Sequence, residues 1–194
     1  MAAYDSSFNT DVSKSPFERA QEFTKLQGAP PAVTTPDQVP TTRQFWDTPV
    51  IKNIELVECE VREKNAKDKT KPLCYAAWKL KVVPELLNSG YNLHGGAVAT
   101  IFDMLTSFAI TAQAKENWWE LGTVSRTLNC TYLKPIPEGE YARVECEVTS
   151  LGKKLGLCRA VMRKWNPEKA DGSGGEICYT CEHGKVNLGP VAKL

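Results

Sequence analysis

The stretch that decides the reading is N-S-G-Y-N-L-H-G-G-A-V-A-T-I-F-D-M-L-T-S, residues 88–107, which continues into Phe108, Ala109, Ile110 and Ala112. From Ala97 onward, apolar residues fall on every side of a 3.6-residue period. That pattern predicts a long helix, running to about Lys115 and surrounded by protein. Asp103 is the only ionisable group between His94 and Lys115. An unpaired carboxylate in such a helix costs on the order of several kcal/mol, or escapes its charge through a shifted pKa, so its retention points to use. Gly95 and Gly96 stand where the helix begins. Glycine allows close approach to the backbone, and the first amides of a helix lack intrahelical acceptors and carry the positive end of the macrodipole. The His94-Gly95-Gly96 entry is therefore a candidate site for a carbonyl oxygen or another anionic atom. The same residues also suit a core helix with a flexible entry and an aspartate bonded to backbone.

Outward from that helix the chain changes character. Ser15-Pro16-Phe17-Glu18 carries the signature of a helix start, with Ser as N-cap, Pro at the first helical position and Glu closing a capping box. A helix over about 16–27 is expected, docking through Phe17, Ala20, Phe23 and Leu26, followed by a proline-rich linker over 29–42. Residues 50–62 read as a strand. Cys74, Ala76, Trp78, Leu80 and Val82 alternate with Tyr75, Ala77, Lys79 and Lys81, giving a strand with one buried face. After the helix come segments at 123–132, 141–151, 155–165 and 176–187. Gly152-Lys153-Lys154 and residues 171–175 supply the turns. Two strands, a long helix and four strands in a meander predict an α+β domain in which an antiparallel sheet wraps a central helix. The expected division is an N-terminal extension over 1–49, one domain over 50–188 and a flexible tail over 189–194.

Composition narrows the function classes. A net charge of +1 over 194 residues offers no argument for nucleic acid or an anionic membrane surface. The central Asp103 and short apolar runs argue against a membrane span in the helix. No apolar leader precedes residue 15, and Asp5 and Asp11 come before the first arginine, so neither secretion nor a mitochondrial presequence is expected. Seven scattered cysteines then read as packed, reduced thiols. Cys178 and Cys181 form a C-x-x-C, but on a strand they point to opposite faces, and a second ligand pair is missing. No metal and no cofactor are expected.

The order of elements, together with N-x5-H-G-G-x7-D at the helix, resembles the hotdog-fold acyl-CoA thioesterases of the 4-hydroxybenzoyl-CoA thioesterase superfamily. Within these it resembles the PaaI-like enzymes, including the thioesterase superfamily member 2 group. The resemblance covers about residues 50–188. Val124-Ser125 followed by Asn129-Cys130-Thr131-Tyr132 is similar to the family's first strand after the helix, with Ser125 at the active-site serine. The resemblance implies an acyl-CoA hydrolase whose catalytic residues are Asp103, Gly95, Asn88 and Ser125, with His94 and Gly96 binding substrate. Asn88 and the Gly95 amide polarise the thioester carbonyl. Asp103 activates water or attacks directly, and Ser125 holds that water or the carboxylate.

Gly95 and Asp103 lie eight residues apart, about 12 Å along one helix, too far to flank one carbonyl. A second antiparallel helix closes that gap, which predicts a homodimer with composite sites, and the family's habit extends this to a dimer of dimers. The alternatives are a non-catalytic hotdog module that binds acyl-CoA, and a hotdog hydratase acting on an enoyl or hydroxyacyl thioester. The ending Ala192-Lys193-Leu194 resembles the S-K-L import signal. It makes the peroxisome the expected location and the peroxisomal import receptor an expected partner, with cytoplasm or mitochondrion as the other options.

Overall fold

In the computed structural model, residues 11–26, 47–62, 71–120 and 123–187 are described. Helix α1 spans Pro16–Leu26 and begins at the capping box, where the Ser15 N–H donates to Glu18 Oε2 at 2.9 Å and the Glu18 N–H donates to Ser15 Oγ at 3.3 Å. Ala20 is buried, whereas Phe17 stays partly exposed. The side chains of Phe23 and Leu26, the linker over 29–42 and the tail 189–194 lie outside the described residues.

A short helix α2, Thr48–Lys52, follows. This corrects the expected strand start at residue 50, and Pro49 near the first helical position supplies the reason, since its fixed φ suits a helix entry. Strands β1 (Ile54–Val61) and β2 (Cys74–Lys81) pair antiparallel, and a 3-10 turn at Pro84–Leu86 leads towards α3, Gly95–Thr111. The predicted end near Lys115 is four residues too late. Arg19 of α1 explains the stop, because its guanidinium donates to the carbonyl oxygens of Ala112 and Ala114 at 2.6 and 3.0 Å. Helix α3 has no basic residue in its own last turn, so a cation from another helix satisfies those carbonyls.

The remaining strands are β3 (Thr123–Tyr132), β4 (Tyr141–Leu151), β5 (Leu155–Lys164) and β6 (Ile177–Asn187). All six strands form one antiparallel sheet in the order β1-β2-β4-β5-β6-β3. The expected four-strand meander is therefore corrected: β4, β5 and β6 run as a meander, but β3 lies at the far edge against β6. Its connection to β4 is tied to the helix entry, with the Leu93 N–H bonded to Ile136 O at 2.9 Å and the Glu138 N–H to Tyr91 O at 3.0 Å. That loop holds β3 and β4 apart and admits β5 and β6 between them.

The inner face of the sheet packs on α3 through Trp78, Leu80, Val144, Cys146, Val148 and Met162, meeting Val98, Ile101, Phe102, Leu105 and Phe108. The helix is not covered all round. Gly96, Thr100, Asp103 and Ser107 form a stripe at helical spacing that remains partly accessible, and the Asp103 side chain is 44% exposed. The expected helix surrounded by protein is thus covered by its own chain on one side only, because one sheet covers only one side of a helix. Among the described residues, no helix is long and apolar enough to cross a membrane.

Candidate active site

Each end of the site follows from its local backbone. His94 is the N-cap of α3, in extended conformation (φ −67°, ψ 137°), and its Nδ1 accepts the Gly96 N–H at 2.9 Å. With Nδ1 accepting, the neutral ring carries its proton on Nε2. A Cβ on Gly96 would stand 3.1 Å from His94 Nδ1, so the glycine lets the ring fold over the helix start. Val98 N–H closes the first turn onto His94 O at 2.9 Å. The Gly95 amide is left with no protein acceptor among the described residues, while the Gly95 carbonyl accepts the Tyr132 hydroxyl at 3.0 Å.

Asn88 lies before this entry in a tight turn. Its Oδ1 accepts the N–H groups of Gly90 and Asn92 at 2.9 and 3.2 Å, and its own N–H donates to Asn92 O at 2.8 Å. The oxygen is therefore spent on backbone, and the Nδ2 group remains as the outward donor. A cavity of about 90 Å³ opens beside the entry, lined by Val50, Leu86, Leu87, His94, Ala97 and Thr100, with Glu85 at its side.

Asp103 sits two turns further along α3. Its Oδ1 accepts a short hydrogen bond from the Ser125 hydroxyl of β3. The predicted pair is brought together, and Ser125 meets the carboxylate rather than standing apart from it. A bulge aims the serine: Ser125 pairs with Lys185 and Thr127 with Gly184, leaving Arg126 as the extra residue. Gly184 is required beside the bulge, since a Cβ there would lie 2.5 Å from Thr127 Oγ1.

Two residues that sequence reasoning missed complete this end. Lys185 Nζ donates to Ser125 Oγ at 3.0 Å and lies 3.7 Å from Asp103 Oδ1. His183 Nε2 lies 3.3 Å from the same Oδ1, and its Nδ1 is 2.6 Å from Thr106 Oγ1. Both side chains are almost wholly buried, at 3% and 0% exposure. Burial, reinforced by the Lys185 charge and opposed by Asp103, lowers the His183 pKa to about 4, so the ring is neutral near pH 7. Burial also lowers the Lys185 pKa, and the Asp103 charge counters it. The signal was available in Cys181-Glu-His-Gly-Lys185, where the strand alternation puts His183 and Lys185 on the inward face with Cys181.

The six candidate residues therefore fall into two groups within one chain. Asn88, His94, Gly95 and Gly96 gather at the start of α3, and Asp103 meets Ser125 about 12 Å further along the helix. Among the described residues, no cluster of His, Cys, Asp or Glu has the makings of a metal site.

Residues 90–170 match the family model of the Thioesterase superfamily. The crystal structure of zebrafish thioesterase superfamily member 2 superposes with a TM-score of 0.62 at 18% identity, covering 88% of this chain and 97% of that one. The fold is the hotdog fold. A second hotdog structure, a Streptococcus mutans protein bound to acetyl CoA, superposes with a TM-score of 0.54 at 14% identity over 71% of this chain and 90% of that one. In sequence, a Caenorhabditis elegans protein named as a candidate esterase is 27% identical over 106 residues, 55% of this chain. That match spans 58% of the relative's length.

Proposed function

We propose that this hotdog protein is an acyl-CoA thioesterase, releasing a free carboxylic acid and coenzyme A. The observation that carries the reading is an accessible carboxylate, Asp103, tethered by Ser125 on the same helix whose first amide, at Gly95, has no protein acceptor. In the proposed reaction a water oxygen attacks the thioester carbon and Asp103 takes the water proton. The carbonyl oxygen gains negative charge against the Gly95 amide and Asn88 Nδ2. Collapse of the adduct breaks the carbon–sulfur bond, and the proton passes to the departing thiolate. A thiolate leaves readily, so no metal is called for.

The roughly 12 Å between Gly95 and Asp103 makes the site composite, with Gly95 and Asn88 of one chain facing Asp103 of a second. Two observations support a homodimer. The open stripe on α3 contains Asp103, and the edge strand β3 exposes Val124 (46%) and Tyr132 (52%), followed by Leu133 (56%). A dimer of dimers is the natural extension. The non-catalytic acyl-CoA binder is the reading that an inactive wild type would favour. The hydratase reading gains nothing from His183, whose fully buried ring has no access to substrate.

Ala192-Lys193-Leu194 lies outside the described residues, and its likeness to a peroxisomal import signal is the basis for a proposed peroxisomal location. A reporter ending in this tail should enter peroxisomes; diffuse signal beside a correctly imported S-K-L control overturns that assignment.

The deciding experiment is free-thiol release from a panel of acyl-CoAs of different acyl length, branching and aromaticity, with wild type beside Asp103→Asn. Turnover that falls by roughly three orders of magnitude in a folded Asp103→Asn dimer supports the hydrolase. Binding of acyl-CoA without thiol release by either protein overturns it.

A further inference from the structure

The Asp103 carboxylate is held unevenly. Among the described residues, the hydrogen bond from the Ser125 hydroxyl falls on Oδ1, and the nearest approaches of His183 Nε2 at 3.3 Å and Lys185 Nζ at 3.7 Å are to the same oxygen. The donor order in this group is fixed by chemistry. An ammonium has only donors and an ionised carboxylate only acceptors, so Lys185 donates to Ser125 and Ser125 must donate to Asp103. The serine's single proton is thereby committed to the aspartate. His183 supplies a second restraint. Nε2 faces Oδ1 but lacks hydrogen-bond geometry, and it is a buried polar atom without another partner among the described residues. The ring's other nitrogen, Nδ1, lies 2.6 Å from Thr106 Oγ1, which donates to Phe102 O at 2.7 Å, so the imidazole is tied to the same helix that carries Asp103.

These two side chains are costly to place where they are. A lysine ammonium at 3% exposure loses its hydration, and an apolar residue at that position would fill the sheet at lower cost. Both project inward from β6 beside the bulge that turns Ser125 towards Asp103. We propose that Lys185 and His183 are positioning residues that, with Ser125, anchor Asp103 Oδ1 and leave Oδ2 as the oxygen that meets water or substrate. This rests on the thioesterase reading above and assigns the reacting oxygen within it. Among the described residues, the titratable and charged groups facing Asp103 are His183, Lys185 and Cys181 of β6; Cys158 of β5 stands beside Lys185, and β3 contributes the uncharged Ser125.

The test compares full-length wild type with Lys185→Met, Lys185→Arg and His183→Gln, each checked for fold by circular dichroism and for assembly by sedimentation. Lys185→Met should lower kcat about tenfold or more, with KM altered less than about threefold, because it misplaces the carboxylate without touching the substrate. Lys185→Arg should recover most of the lost kcat, and His183→Gln should lower kcat with KM again altered less than about threefold. A kcat unchanged in Lys185→Met overturns the proposal. A second readout separates it from the thioesterase reading: the carboxyl carbon-13 resonance of Asp103, compared at one pH in wild type and Lys185→Met. If wild type releases no thiol, the hydrolase assignment fails by itself. The anchoring then stands when that resonance moves in Lys185→Met, and is overturned when the two spectra coincide.

Discussion

Arg19 of α1 donates to Ala112 O at 2.6 Å, so a helix from the N-terminal extension caps the far end of the helix that carries Asp103. Its second amino group reaches Ala114 O at 3.0 Å. Charge-assisted hydrogen bonds of this kind contribute about 1.5–3 kcal/mol, part of which is the penalty of leaving the carbonyls unpaired. Arg19→Ala should therefore lower stability by about 1–3 kcal/mol in a urea titration, while Phe17→Ser, at a partly exposed position, should change it by less than about 1 kcal/mol. Equal losses from the two would show that α1 does not act through this cap.

The two glycines at the start of α3 should respond differently to alanine. A Cβ on Gly96 meets His94 Nδ1 at 3.1 Å and Cε1 at 3.2 Å, whereas one on Gly95 meets Tyr132 Cε1 at an ordinary 3.4 Å. Gly96→Ala should push the imidazole off its cap, costing about 0.5–2 kcal/mol as a lost N-cap does. Gly95→Ala should leave stability unchanged or slightly higher. Nitrogen-15 spectra of the His94 ring check this, since displacement of the ring releases Nδ1 from the Gly96 amide.

Composite sites make a prediction that one polypeptide cannot imitate. Asp103→Asn and Asn88→Ala homodimers should each be nearly inactive. Denaturing and refolding them together in equal amounts should restore about a quarter of wild-type activity, because half the dimers are mixed and each mixed dimer has one intact site. No recovery, with mixed dimers demonstrated by mass spectrometry, places both residues in one chain's site.

His183 should give stability an acid dependence of its own. Its folded pKa is lowered to about 4, chiefly by burial, while the unfolded chain titrates near 6.5. Below pH 6.5 the unfolded state takes up a proton that the folded state refuses. The contribution is thus complete above about 6.5 and is lost as the pH falls to about 4, with no further change below. Relative to His183→Gln, wild type should lose roughly 2–3 kcal/mol across that window, read by denaturation at each pH. A pH-independent difference between the two would refute it.

Lys185 should show opposed effects on stability and activity. Burial depresses its pKa, so the folded state disfavours the charged form and holds it at a cost near pH 7. Its partner Asp103 is 44% exposed and stays hydrated when the lysine is removed. Lys185→Met should therefore leave the melting temperature unchanged or raise it, even as turnover falls. A large drop in melting temperature would contradict the burial cost assigned to the lysine.

Much of this was legible along the chain wherever the cause is local. The capping box at Ser15 and Glu18, the alternation in β2 and β4, and the apolar helix interrupted by Asp103 all depend on neighbours within a few residues. Helix α2 was missed because Val50 and Ile51 favour strands, a preference that Pro49 at the helix entry overrides. The pairing of β3 with β6 could not be read from order alone, since the loop that keeps β3 from β4 is held by the distant Tyr91 and Leu93.

The site divides along the same line. By itself the sequence determined that α3 starts at the glycines after His94 and that Asp103 is its one charge, because helix period and residue type carry both facts. Only the tertiary structure decided what surrounds that charge. Ser125 arrives from an edge strand 22 residues away, and Lys185 from a strand that pairs with it, so the contacts depend on strand register and on the bulge at Arg126. A one-residue slip in that pairing would turn Lys185 and His183 to the other face of the sheet, and nothing near them in the chain prevents it. The packing of the sheet on α3 does.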